Sequence, residues 1–167
     1  ALAYWPTVRI GLVPRVEYLR GIYEGEYGSF NNYLGSLALV YRFTRHLEGF
    51  VQYAHTYRDW NSPIPEAEDF HVYDPSMGVR YQVSQAIFVS GEAGYFLQDN
   101  EHSSNEGGYH FDAEGSWETE RTLLSLEAGH GYDRAELGSE NLGLPRYTRV
   151  RFRGEYAVTR YVTVDAF

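Results

Sequence analysis

The charged side chains of this 167-residue chain are spaced to line a surface, not to converge on one point. Arg149, Arg151, Arg153 and Glu155 occupy every second position of one stretch, and His110, Asp112, Glu114 and Glu118 are in step along another. Residues two apart in an extended chain project from the same face. Each stretch would therefore present a row of charge to one side, and Glu127, Glu92 and Arg80 continue that row on neighbouring segments. Arg9, Arg15, Glu17, Arg42 and Glu48 do the same nearer the N-terminus. Opposite charges facing each other across neighbouring strands contribute roughly 0.2–1 kcal/mol per pair. The chemistry this predicts is electrostatic: basic groups on one wall facing acids on another, orienting polar solutes in a transverse field. Charges that instead neutralised one another in a narrow interior would leave no path. A wall this charged needs water to remain ionised, so the wet interior is the expectation.

No catalytic set emerges. Ser, His and Asp are all present, but no spacing singles out a nucleophile, a base and an orienting group. His110 with Asp112 and Glu114 offers the only alternation that could give a metal two or three ligands. Neighbouring strand positions produce such groupings by chance, and His110 is read as a lining residue. The acidic stretches DWNSPIPEAED and DNEHSSNE match no calcium-loop spacing and read as solvated loops. The chain has no cysteine, which excludes disulfides, thiolate metal sites and covalent haem attachment. Neither cofactor nor metal is expected. The formal charge of −9 argues against a nucleic-acid partner. All 14 basic residues are arginine, whose rigid fork suits lasting carboxylate pairs.

The elements that must position these charges are strands. From Tyr73 to Tyr95, Tyr73, Pro75, Met77, Val79, Tyr81 and Val83 alternate with Asp74, Ser76, Gly78, Arg80 and Gln82. After Ser84-Gln85 the alternation resumes with Ile87, Val89, Gly91, Ala93 and Tyr95. This predicts a hairpin with one apolar and one polar face. Its apolar face begins and ends in tyrosine, the pattern of a transmembrane β-hairpin with aromatic girdles and a polar lumen. The same reading assigns Tyr33, Tyr41, Tyr53, Tyr57, Tyr73, Tyr81, Tyr95, Tyr109, Trp117, Tyr132 and Tyr156 to the girdles. Mean hydropathy is negative, as a barrel's average is when half of each strand faces water. No run approaches the eighteen or so apolar residues of a membrane helix.

Further strands are predicted at Thr7–Tyr18, Tyr33–Phe43, Leu47–Tyr57, Tyr109–Thr119, Thr122–Tyr132, Thr148–Tyr156 and from Tyr161. Long polar loops separate them at Arg20–Asn32, Arg58–Asp69, Asp99–Glu106 and Asp133–Pro145. Short turns alternate with these long loops, so one end of the molecule is trimmed and the other elaborated. The segments VYRFTRHLEGFVQY, VRYQVSQAIFVSGEAGY, GSWETERTLLSLEAGHGY and GEYAVTRYVTVDAF align on an aromatic (Tyr41, Tyr81, Trp117, Tyr156), a short turn and an apolar alternation. A spacing of roughly forty residues invites a propeller, but each unit holds two long strands and no blade signature.

From Tyr33 to Phe167, the repeated Y-x-[VF]-[ST]-[RQ]-x-[LIV] turn resembles a poorly characterised family of outer-membrane β-barrel porins of Gram-negative bacteria. The resemblance implies a barrel in the bacterial outer membrane through which polar solutes pass, or a conduit for an exported polymer. It carries no catalytic residues. The expectation is thus an antiparallel up-and-down transmembrane β-barrel, one domain over residues 1–167, with about nine strands seen of a larger barrel. Nine is odd, and Phe167 falls on the lumen side of Val162, Val164 and Ala166, so the chain is expected to be incomplete at its C-terminus. The expected function is a porin-like passage through an Arg- and carboxylate-lined lumen. Its partners would be outer-membrane lipid, small polar solutes or an exported polymer, and possible association with other chains. Rival readings are a conduit or scaffold barrel, an outer-membrane hydrolase, and a soluble β-sandwich with its apolar face against a second sheet.

Overall fold

The computed structural model describes residues 3–22, 29–61, 69–102, 104–132, 146–159 and 162–166. Nine antiparallel strands follow in sequence order: β1 (Ile10–Ile22), β2 (Ser29–Arg42), β3 (Leu47–Asn61), β4 (Phe70–Gln82), β5 (Ile87–Asn100), β6 (Glu106–Glu118), β7 (Thr122–Tyr132), β8 (Arg146–Thr159) and β9 (Val162–Ala166). Each pairs only with its neighbours in sequence, giving an up-and-down all-β sheet. Eight strands are long and the ninth has five residues. Among the described residues β1 and β9 do not pair, and the sheet is open. The fourth long loop, 133–145, lies outside the described residues, as does Phe167.

Three short turns share one device. Thr44 Oγ1 accepts the backbone N–H groups of His46 and Leu47 at 3.1 and 3.0 Å. Ser84 Oγ accepts that of Ala86, and Thr119 Oγ1 those of Arg121 and Thr122. A hydroxyl that satisfies its own turn's donors fixes the bend locally. The conserved geometry extends further than the four aligned segments. Thr7 Oγ1 accepts from Arg9 and Ile10, and Tyr4 bridges Leu12 as Tyr41 pairs with Gly49. Tyr4-Trp5-Pro6-Thr7-Val8-Arg9-Ile10 is thus one more copy of the turn, so the first strand begins at Ile10 and not at Thr7.

The strands also run past the predicted loop boundaries. β1 reaches Ile22, β2 begins at Ser29 and β3 continues to Asn61. Polar residues hold these extensions by pairing across strands. The Tyr18 hydroxyl donates to Asn31 Oδ1 at 2.8 Å, the Arg58 guanidinium to Asn32 Oδ1 at 3.3 Å, and the Tyr57 hydroxyl to Asp69 Oδ2 at 3.1 Å. Composition marks such stretches as loop; mutual satisfaction keeps them in the ladder. Pro14 is tolerated because Leu12, two residues earlier, turns its N–H and C=O toward Tyr4. Pro14 points its missing donor to that same outer edge and costs the β1–β2 ladder nothing.

The two faces differ as the alternation requires. Leu37, Leu39, Val51, Met77, Val79, Val89, Leu126 and Phe152 are exposed on the outer face, with no second layer over them among the described residues. The soluble-sandwich expectation therefore finds no partner sheet there. Apolar side chains of opposite parity, such as Phe30, Leu34, Val40, Ala54, Phe70 and Phe96, are covered because the sheet curls. β4 and β7 would lie about 14 Å apart in a flat sheet, yet the Tyr132 hydroxyl reaches the Asp74 carboxylate at 2.6 Å. The inner face is the concave one.

Candidate functional site

The inner face has two zones. In the half nearer the short turns, Arg80 of β4, Glu92 of β5, Asp112 and Glu114 of β6, Glu127 of β7 and Arg149 of β8 surround an open cavity of about 420 Å³ floored by Phe50. Their register brings them together: Glu92 opposes Asp112, Glu114 opposes Glu127, and Glu127 opposes Arg151. Arg149 reaches Asp112 at 3.4 Å and Arg151 reaches Glu127 at 3.3 Å. Arg80 lies over the Phe50 ring, 4.5 Å from its centroid. Two guanidinium groups thus face four carboxylates across this cavity, a net charge of −2. The groups are half-exposed or exposed, so water holds their charge.

Toward the long loops the inner face is packed instead. Phe70, Val72, Phe96 and Tyr132 form a buried cluster, with Phe30 and Leu34 buried on β2. Within it lies Asp74, 2% exposed. Its Oδ1 pairs with His110 Nε2 at 2.8 Å and its Oδ2 accepts the Tyr132 hydroxyl at 2.6 Å. This clasp joins β4, β6 and β7. His110 passes over Gly94 of β5 to make it: a Cβ on Gly94 would collide with His110 Nε2 and lie 2.6 Å from the Pro75 carbonyl oxygen. Glycine is required there for close approach, not for backbone freedom. The Arg58 guanidinium is buried nearby, stacked over Phe30 and Phe70 at 5.0 and 4.9 Å.

The residues predicted to line the interior project to the inner face, since each opposes another inner residue along the ladders, except Arg9, which precedes β1 and belongs to no ladder pair. Arg42 and Glu48 pair at 2.7 Å near the first turn, and Arg15 and Glu17 pair at 2.5 Å on β1. Arg153 and Glu155 pair within β8, and Arg9 and Glu118 are exposed near turns. His110, read as a lining residue, is on the inner face but buried, its Nε2 paired with Asp74 two strands away, and among the described residues no three metal-ligating groups converge.

Among the girdle aromatics, Tyr33, Tyr41, Tyr73, Tyr81, Tyr95, Tyr109, Trp117 and Tyr156 stand on the outer face in two rows. Tyr33 and Tyr41, Tyr73 and Tyr81, and Tyr109 and Trp117 are each eight residues apart. Tyr57 extends the row near the long loops, stacked between Tyr33 and His71. Tyr53 is also outward but stands between the rows, opposite Leu37 and Pro75. Tyr132 is a correction. β7 parts from β6 after His130, and the freed end turns inward, burying Tyr132 against Phe96. The alternation puts it outside; the Asp74 carboxylate and the Phe96 ring hold it inside.

Asp74 and Arg58 were not among the expected site residues. The signal for them was a parity violation: Phe30, Phe70, Val72 and Phe96 are apolar at inner positions and mark where the interior is packed. No protein-family model, no curated protein and no solved structure matches this chain.

Proposed function

We propose that the sheet is wall of an outer-membrane β-barrel of the porin type, its outer face against lipid and its inner face lining a water-filled passage for polar solutes. The observation that carries this reading is the outer face. Large apolar side chains are exposed on successive strands between two aromatic rows, an arrangement expected of a surface solvated by lipid. Rows eight residues apart are separated by about 26 Å along the strand, or roughly 20 Å along the membrane normal at a ~40° tilt. With the rings' own length added, that approaches the ~25 Å apolar band of such barrels. The inner cavity, with net −2, would favour cations, and its paired arginines would orient solutes. Reconstitution into planar bilayers tests this: discrete cation-preferring conductance steps are the expected result, and an electrically silent, amphiphile-independent monomer would end the proposal.

A second reading has one observation in its favour. The packed zone around Asp74 narrows the interior toward the long loops, as in a barrel that serves as a scaffold or a filled conduit. Detergent partition without conductance would select it.

A further inference from the structure

A second charged feature lies at the short-turn end itself. A cavity of about 440 Å³ opens between two adjacent copies of the turn, the one at Thr7 and the one at Thr44. Arg9, Arg42 and Arg45 border it with a single carboxylate, Glu48, so its net charge is +2 in a chain of net −9. Glu48 is already engaged by Arg42 Nε at 2.7 Å, and Arg42 is further held against the Trp5 ring at 3.6 Å. The side chains of Arg9 and Arg45 are exposed, and neither enters a hydrogen bond or ion pair with another described residue. Elsewhere among the described residues Arg15, Arg146, Arg149, Arg151 and Arg153 each have a carboxylate, while Arg20, Arg80 and Arg121 stand singly without one; Arg9 and Arg45 differ in sharing one cleft. Two guanidinium groups without one, beside a third, repel one another and attract an anion. Besides Thr44, the remaining wall is apolar and exposed: Val8 at 87% and Phe43 at 54%. Phe43 belongs to the lower end of the outer face, just past the row containing Tyr41.

We propose that this cleft binds the phosphate of an anionic phospholipid, with Arg9 and Arg45 on the headgroup and Val8 and Phe43 along the start of its acyl chain. A free phosphate would satisfy the arginines but leave the apolar wall without a role; the lipid accounts for both. The inference rests on the membrane placement proposed above but not on an open passage, and detergent partition checks that placement separately.

The test is calorimetric titration of the full chain, in a non-ionic detergent, with short-chain phosphatidylglycerol, short-chain phosphatidylcholine and inorganic phosphate. Saturable binding of phosphatidylglycerol is expected, weakening at least tenfold in the Arg9→Gln/Arg45→Gln double variant. An Arg20→Gln/Arg121→Gln variant removes the same charge elsewhere and should change affinity less than twofold. Circular dichroism confirms that each variant is folded. Equal binding of phosphatidylcholine, equal binding of inorganic phosphate, or affinity unmoved by the Arg9/Arg45 change would overturn the proposal.

Discussion

Leu37→Arg asks directly what solvates the outer face. Leu37 is 52% exposed, midway between Tyr33 and Tyr41 on β2 and opposite Tyr53 of β3. In water, an arginine at so open a position changes stability by about 0.5 kcal/mol or less. In a bilayer, the same guanidinium sits near the midplane and costs about 2–4 kcal/mol, falling to about 0–1 near the interfaces. Val83, 48% exposed beside the Ser84 turn, provides a control of matched exposure but different depth. Urea unfolding from phospholipid vesicles, read by tryptophan fluorescence, should therefore separate Leu37→Arg from Val83→Arg by about 1–4 kcal/mol, roughly fivefold or more in the folding constant. Water as the solvent of that face would make the two variants equal. Equal losses, both within about 0.5 kcal/mol, would refute the lipid-facing assignment whatever the conductance data showed.

The clasp gives a second prediction. Tyr132→Phe removes one charge-assisted bond from a buried carboxylate and should cost about 1.5–3 kcal/mol in the same unfolding assay. Combined with Asp74→Ala it should add little, because both changes remove one interaction; full additivity would show that the two groups do not communicate. Gly94→Ala should displace His110 and cost more than the ~0.5–1 kcal/mol gain expected when alanine replaces glycine without strain, and an unchanged urea midpoint would refute the close approach. Glu92→Gln with Glu114→Gln brings the inner cavity from −2 to neutral and should reduce cation preference, measured as a shift of reversal potential in a salt gradient. Thr44→Ala removes the acceptor for two backbone N–H groups and should cost about 0.5–1.5 kcal/mol.

Most of the architecture is legible because a period of two is hard to disguise. Tyr73 to Tyr95 alone gives the faces, the turn at Ser84 and the strand direction, and the pairings follow from turns too short for anything but adjacent antiparallel strands. The inner charges are legible for the same reason. What is hidden depends on contacts between distant strands. The Asp74–His110 pair spans 36 residues and the Asp74–Tyr132 pair 58, and the one local mark on Asp74 is the apolar Phe70 and Val72 at the inner positions before it. Tyr132 keeps the parity of an outward residue, and only the departure of β7 from β6 sends it inward. Strand ends such as Asn31-Asn32 and Arg58-Asp59 read as loop because their partners lie on other strands. The N-terminal copy of the turn is concealed by its Pro6, which stands where the copies at Thr44, Ser84 and Thr119 have Phe43, Val83 and Glu118.

The bends at Thr44, Ser84 and Thr119 each carry their own hydroxyl clamp, so the alignment of those hairpins is decided within the hairpin and owes nothing to those further along the chain. A gene encoding such units could gain or lose one by duplication or deletion while every surviving pair of strands kept its phase. The number of strands would then be the trait most easily altered, and the spacing of the aromatic rows the one most resistant to change.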